Sequence, residues 1–181
     1  MAMKRYLLTA AGRDRPGLVA AVSKILFEEG CNLEDSAMTR LQGEFAILLI
    51  LSGPALTGKL EKRLKELGKK LGLTVGLKPL SPRESKAPGK MGERVLISVY
   101  GADRPGIVHR VTQQLAEMNV NLSDLSTHRT EAKGKPSGYI LYLEGEIPEG
   151  TTSPAIEKDL RGALAEMGVT LSVKPLSSQP L

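Results

Sequence analysis

The most chemically suggestive feature of the sequence is a four-residue segment, Asp-Arg-Pro-Gly, that occurs at 14–17 and again at 103–106. In both places it follows an apolar run and precedes apolar residues at helical spacing, which predicts a strand-to-helix turn. Backbone N–H groups and the positive dipole end at a helix start can bind a small carboxylate. The aspartate could accept hydrogen bonds from an α-ammonium group. The segment therefore indicates a site for a small zwitterion.

A purely structural interpretation of the same segment is equally open. Asp14 and Asp103 would cap the helices by accepting hydrogen bonds from their first N–H groups, and the prolines would begin them. Gly17 and Gly106 would let each helix pack closely on a sheet. The segment alone does not decide between a binding site and a helix cap.

Residues that commonly carry catalysis are few. His109 and His128 have no recognisable nucleophile or carboxylate partner, so we interpret them as surface or core side chains. Cys31 has no second thiol to pair with, and its place before an apolar strand predicts a small buried side chain. No HExxH, GxSxG or P-loop motif occurs, and no His/Cys group has metal-ligand spacing. We therefore predict a protein that is not an enzyme and needs no cofactor or metal.

The two segments belong to a longer internal repeat. Residues 12–41 align with 101–130 without a gap, and 13 of these 30 positions are identical, including Arg40 with Arg129. Chance would supply about two identities at average amino-acid frequencies. The register then slips at 132–137, which we interpret as a longer turn in the second copy. The chain is a duplication of one module.

Each copy shows the same order of patterns, strand, helix, two strands, helix and strand. The strands are predicted at 5–11, 32–41, 44–51 and 73–77, and at 94–100, 121–131, 138–144 and 169–173. The first helices carry the apolar stripes Leu18, Val22, Ile25, Leu26 and Ile107, Val111, Leu115, Met118. The second helices carry the stripes Leu60, Leu64, Leu67, Leu71 and Ile156, Leu160, Leu164, Met167, and each should end at a left-handed glycine, Gly72 or Gly168.

This order predicts two ferredoxin-like βαββαβ modules of the α+β class, each with an antiparallel sheet and two helices on one face. We predict the modules at 1–80 and 93–176. Residues 81–92 are rich in Pro, Lys, Ser and Gly and form a predicted linker, and 177–181 form a tail. No apolar run approaches the roughly 18–20 residues of a membrane span, and the start leaves no room for a signal peptide, so we expect a cytoplasmic protein.

The predicted second helix of the first copy is rich in cations: Lys59, Lys62, Arg63, Lys65, Lys69 and Lys70. Glu61 and Glu66 are interleaved with them, which favours a solvated face. The alternative is a docking surface for an acidic protein or for DNA, and hence a direct DNA-binding repressor. With only two Phe, four Tyr and no Trp, and no rings that match in the gapless alignment of the copies, direct nucleic-acid binding is not expected.

The whole constellation, Gly-x-Asp-Arg-Pro-Gly-[Leu/Ile]-Val, an amphipathic helix and then Asn-Leu-x-Asp, strongly resembles the ACT domain family. The resemblance covers both copies and omits only the linker and the tail. Tandem ACT domains with nothing else attached resemble the group of glycine cleavage system transcriptional repressors and related amino-acid-binding regulators. A third interpretation, acylphosphatase-like catalysis on the same fold, lacks the matching Arg and Asn loop.

The resemblance implies a regulator with paired modules that binds a small amino acid, glycine or serine, between the first loop of one module and the second-strand region of its neighbour. It also implies a protein partner, such as a LysR-type transcription factor or a metabolic enzyme, and allows a homo-oligomer. The matching ligand-binding residues are Asp14, Arg15, Pro16, Gly17, Leu18, Asn32, Asp103, Arg104, Pro105, Gly106, Ile107 and Asn121.

The two copies also differ near these residues. Arg13 aligns with Ala102, and Glu34 aligns with Ser123. Asn32 and its counterpart have a simpler interpretation as turn residues after the first helix. These differences predict an asymmetric pair in which one half senses and the other assembles.

Overall fold

The structure is a computed structural model that describes residues 3–54, 58–81, 92–130 and 137–176. The chain divides into two compact units, Met1–Ala87 and Pro88–Leu181, called here the first and the second unit. The predicted tail, nearly all of the predicted linker and most of the predicted insertion lie outside the described residues. The boundaries proposed for the modules therefore stay predictions.

The first unit contains β1 (Lys4–Arg13), α1 (Leu18–Glu28), β2 (Asn32–Leu41), β3 (Glu44–Gly53), α2 (Gly58–Leu71) and β4 (Leu73–Leu80). The second contains β5 (Arg94–Ala102), α3 (Ile107–Glu117), β6 (Asn121–Thr130), β7 (Gly138–Glu146), α4 (Ser153–Ala163), a 3-10 turn at Ala165–Met167 and β8 (Thr170–Pro175). The sheet orders are β2-β3-β1-β4 and β6-β7-β5-β8, with every pairing antiparallel. The ferredoxin-like α+β prediction is confirmed.

Alternation along the central strands places one face of each sheet on its helices. In β1 the buried residues are Tyr6, Leu8 and Ala10. In β5 the buried apolar residues are Val95, Ile97 and Val99, and Ser98 is buried as well. The predicted helix stripes meet these strands, although four of their members are only partly buried against the cores: Leu67, Leu71, Met118 and Met167. Each unit has its own hydrophobic core. Among the described residues, no helix is long and apolar enough to cross a membrane.

The end of β1 lies against the connection between α2 and β4. A Cβ atom built on Gly12 would lie 2.5 Å from the carbonyl oxygen of Gly72. Gly72 ends α2 in the left-handed conformation, with φ of 65°, as its place after the last helical leucine predicts. The aligned Gly101 would place a Cβ 2.8 Å from Val169 Cγ1. In both units the strand therefore needs glycine where it enters the turn.

Two cationic side chains of α2 form ion pairs with carboxylates at the end of α1. Arg63 of α2 donates hydrogen bonds to Glu28 and, at 2.6 Å, to Glu29 Oε1. Lys59 Nζ lies 3.1 Å from the same Glu29 oxygen. The hydrogen bond from Arg63 is the main reason that the pKa values of both carboxyl groups lie below their ordinary value of 4.5.

We expect Gly12→Ala to destabilise the first unit, because the new methyl group would collide with a backbone oxygen that cannot rotate away. Overpacking of this kind lowers the free energy of unfolding by about 1–3 kcal/mol. Gly43→Ala is the matched control, since a Cβ there would meet no atom within 4 Å. Urea denaturation followed by circular dichroism measures both. Equal midpoints for the two variants would contradict the steric argument.

Arg63→Met should remove stability in a pH-dependent way. Because the folded-state pKa values of Glu28 and Glu29 are lowered, the stability from this contact is present above the ordinary carboxyl pKa and is lost as pH falls through the lowered values. The difference in unfolding free energy between the parent and Arg63→Met should therefore be constant near neutral pH and narrow in acid. Lys62→Met, on the same helix, is the control. A difference that widens in acid would refute the assignment.

Candidate functional site

The Asp-Arg-Pro-Gly turns begin their helices with a left-handed glycine. Gly17 has φ of 92° and ψ of −4°, and Gly106 has φ of 94° and ψ of −7°. Each is the N-cap residue, and its carbonyl oxygen accepts the first helical hydrogen bond, from the N–H of Ala21 at 2.9 Å or of Arg110 at 3.0 Å. A Cβ on either glycine would meet no atom within 4 Å. The suggestion that these glycines allow close helix packing is therefore wrong, and the backbone conformation is the reason for them.

Asp14 and Asp103 do not cap the helices. Neither N-cap has a side-chain hydrogen bond. Instead, Asp14 Oδ2 accepts from Arg40 Nη1 at 3.4 Å, and Asp103 Oδ2 lies 2.7 Å from Arg129 Nη2. The capping interpretation fails because the left-handed glycine places the aspartate three residues before the N-cap, where its carboxylate meets the neighbouring strand.

These Asp–Arg pairs connect each turn to the edge strand of its sheet. Arg40 lies in β2 and Arg129 in β6, and each of these is an edge strand of its sheet. Backbone bonds add to the connection, because the N–H of Asp14 donates to Gly43 O at 2.8 Å and that of Asp103 donates to Ser137 O at 3.0 Å. In both units, opposite charges are therefore held beside a helix start whose first N–H groups have no side-chain acceptor among the described residues.

A depression of about 530 Å³ lies beside the turn of the first unit. Its volume falls in the range of small-molecule sites. It brings together a carboxylate, two guanidinium groups, the helix start and an apolar wall. The lining residues are Asp14, Arg15, Gly17, Leu18, Val19, Ala20, Met38, Arg40 and Phe45.

Arg15 also has a structural contact. Its Nη2 donates to the carbonyl oxygen of Leu71, the last residue of α2, at 2.5 Å. The last carbonyls of a helix lack intrahelical partners, so this bond satisfies one of them. Among the described residues, Arg104 makes no corresponding bond. The turn of the first unit is therefore tied to both β2 and α2.

The remaining predicted site residues lie in the cores, on the surface of the turns and at the starts of β2 and β6. Leu18 and Ile107 are buried in the cores, although Leu18 also touches the depression. Pro16 and Pro105 are exposed in the turns. Asn32 begins β2 and lines a different depression, together with residues near the other end of α1, and Asn121 begins β6 on the surface. In the first unit, Asn32 and Asp14 therefore line different depressions.

Arg40 and Arg129 are the residues that sequence reasoning missed. The signal was present, because the two arginines are identical in the aligned copies. Their role depends on the register of the edge strand, which places them opposite a carboxylate that lies 26 residues earlier in the chain. Identity between the copies at an exposed position was the available clue.

In the described part of the chain, the other reactive side chains make no hydrogen bond or ion pair with the Asp–Arg pairs. Cys31 is only partly buried, and burial is the main cause that raises the pKa of its thiol, with Glu29 adding to it. His109 is exposed on α3, and the exposed ring of His128 packs edge-on to Tyr142, with the ring centroids 6.5 Å apart. In the part of the chain that the structure describes, no cluster of His, Cys, Asp or Glu could hold a metal ion.

The fold and the two turns show that the protein consists of two copies of one βαββαβ module. In each copy the first helix begins at a left-handed glycine. A family model described as the ACT domain matches residues 4–78 and 93–174. The chain belongs to the ACT domain family.

Several known proteins resemble the chain. The glycine cleavage system transcriptional repressor of Escherichia coli K12 is 27% identical over 177 residues, which cover 96% of this chain and 91% of that protein. A UPF0237 protein of Methanopyrus kandleri is 37% identical over 76 residues, covering 40% of this chain and 84% of its own length. A crystal structure of an unknown protein from Galdieria sulphuraria has a TM-score of 0.79 and 25% identity, and covers 97% of this chain and all of that one.

A further crystal structure, of a protein provisionally described as a glycine cleavage system transcriptional repressor, has a TM-score of 0.71 and 22% identity. It covers 98% of this chain and all of its own. This likeness concerns the fold alone.

Replacement of Gly17 should separate backbone strain from packing. Gly17→Ala forces a residue with a Cβ into the left-handed region, which lowers the free energy of unfolding by roughly 1–2 kcal/mol. Gly17→Asn should be milder, because asparagine tolerates this conformation better than alanine although it is larger. Thermal and urea denaturation measure both variants. If Gly17→Asn were the less stable of the two, packing rather than φ would be the cause.

Proposed function

We propose that this protein is a non-catalytic regulator that binds a small amino acid, glycine or serine, at its Asp-Arg-Pro-Gly turn. It acts in the cytoplasm through a protein partner, such as a LysR-type transcription factor or a metabolic enzyme. Membership of the ACT domain family supports this proposal, as does the similarity to a transcriptional repressor of glycine cleavage over 96% of the chain.

The observation that carries the proposal is the charge arrangement at the turn. A helix start and the Arg40 guanidinium can receive a carboxylate, while the Asp14 carboxylate can receive an ammonium group. An α-amino acid presents these two charges on adjacent atoms. The site therefore matches the part of the ligand that all amino acids share.

The Asp14–Arg40 pair is weak enough to be replaced by ligand contacts. The Arg40 side chain is 68% exposed, and the two atoms are 3.4 Å apart. Exposed pairs of this kind contribute about 0–1 kcal/mol. A zwitterion can therefore insert its two charges between the partners while each of them keeps an opposite charge.

Selectivity for a small ligand follows from the walls of the depression. Val19, Met38 and Phe45 are apolar, and Phe45 is buried. A charged ligand side chain placed against them would exchange part of its hydration for apolar contact. Small neutral side chains, such as those of glycine and serine, avoid this loss.

The first unit is the proposed sensing half. The Asp14–Arg40 distance of 3.4 Å is longer than the Asp103–Arg129 distance of 2.7 Å in the second unit. The ion pair of the first unit is therefore the weaker of the two. The turn of the first unit also carries the additional connection from Arg15 to α2. Ligand binding there would act on two elements of the fold.

A thermal-shift screen against the twenty amino acids, followed by calorimetric titration, tests the proposal. At one hundred times Kd the ligand should stabilise the folded protein by about 2.7 kcal/mol. Glycolate and ethanolamine, which each carry only one of the two groups, should bind far more weakly. If no amino acid raises the melting temperature, amino-acid sensing is wrong.

The proposed difference in ligand binding between the two units is tested by a matched pair of variants. Asp14→Asn keeps the shape of the side chain but removes the charge that receives the ammonium group, so the affinity should fall at least tenfold, or about 1.4 kcal/mol. Asp103→Asn makes the same change in the second unit and should leave the affinity within twofold. Calorimetric titration with glycine and serine measures both. A larger loss for Asp103→Asn would assign sensing to the second unit.

A further inference from the structure

Helix α2 has a large excess of positive over negative charge compared with the net charge of the whole chain. It contains six cationic and two acidic side chains, a surplus of four, and the whole chain has a net charge of +5. The apolar side chains Leu60 and Leu64 are buried, while most of the cations are exposed. A basic surface therefore covers the outward side of one helix.

The second unit shows that the fold does not require this charge. Helix α4 occupies the same place in the duplicated module and buries Ile156 and Leu160. It carries two cationic and two acidic side chains, so its charges balance. Since both helices pack on their sheets by the same apolar spacing, packing does not explain the lysines of α2.

Only part of the basic surface is occupied by internal ion pairs. Lys59 and Arg63 contact the carboxylates at the end of α1, and Lys65 Nζ lies 2.7 Å from Glu61 Oε1. Among the described residues, Lys62, Lys69 and Lys70 make no ion pair, and all three are exposed. A depression of about 350 Å³ lies on this face, and its lining residues are Gly58, Glu61, Lys62, Lys65, Glu66 and Lys69.

The pattern fits a protein surface better than a nucleic acid. Glu61 and Glu66 line the same depression as the lysines, so a continuous row of phosphates would meet carboxylates there. A folded partner can place acidic side chains against the lysines and its own cations against the two glutamates. Helix α2 also offers no aromatic ring on which a base could stack.

We propose that the outward face of α2 is the docking surface for an acidic patch on a partner protein. Lys62 and Lys69 are its central contacts, and the acidic side chains of the partner enter the depression between them. This inference rests on the proposed partner-mediated function but not on amino-acid binding, and the two are measured separately.

The test uses two labelled probes, a 20-residue peptide of repeated Glu-Glu-Glu-Lys, which carries both signs of charge, and a 20-base-pair DNA duplex of unrelated sequence, with fluorescence anisotropy at 50 and 200 mM salt. The parent should bind the peptide more tightly than the duplex, with an affinity that falls at least tenfold over this range. The double variant Lys62→Glu/Lys69→Glu should lose at least tenfold in peptide affinity at 50 mM salt.

The control is Lys158→Glu/Lys174→Glu, which changes the net charge by the same amount in the second unit. Lys158 precedes the buried Leu160 by two residues, as Lys62 precedes Leu64. Its peptide affinity should stay within twofold of the parent, and unchanged melting temperatures should confirm that both variants fold.

Three results would overturn the docking proposal: equal losses in both variants, tighter binding of the duplex than of the peptide, or no binding of either probe at 50 mM salt. Amino-acid binding is followed on the same proteins by thermal shift. Peptide binding that depends on Lys62 and Lys69, without any amino-acid shift, would support docking and refute sensing.

Discussion

The left-handed backbone of Gly17 and Gly106 determines how each turn is built. Four residues connect the first strand of each unit to its first helix, and the glycine with φ above 90° is the last of them and the N-cap. The aspartate lies three residues before this glycine, too far back to reach the first N–H groups. Its carboxylate turns instead to an arginine of the edge strand. One backbone constraint thereby leaves a helix start without a side-chain cap and sets a pair of opposite charges beside it.

The fold could be predicted from the sequence because it depends on local periodicity. Alternation in β1 and β5 and the leucine spacing in α2 each determine which face is buried, and the duplication supplied every pattern twice. The turn was harder, because aspartate and glycine serve several purposes at a helix start. Whether Gly17 is required by φ or by contact depends on the surrounding space, which periodicity does not reveal.

The charged part of the site depends on tertiary register. Arg40 meets Asp14 only because the hairpin of β2 and β3 brings position 40 back beside the end of β1. Arg15 meets Leu71 because Gly12 allows β1 to lie against the connection after α2. Neither contact follows from a local periodicity of the chain, and the identity of Arg40 and Arg129 between the copies pointed only to the first of them.

Two arginines of the first unit differ in how much of the side chain is exposed and in how many carboxylates it contacts, and this difference suits one to stability and the other to binding. Arg63 is 31% exposed and contacts two carboxylates that are themselves partly shielded, so it holds α1 and α2 together. The Arg40 side chain is 68% exposed, and its ion-pair partner among the described residues is Asp14, with 3.4 Å between the paired atoms. Solvent screens the second pair far more than the first. The guanidinium that contributes little to the folded state is therefore the one whose transfer from Asp14 to the proposed ligand would leave the fold intact.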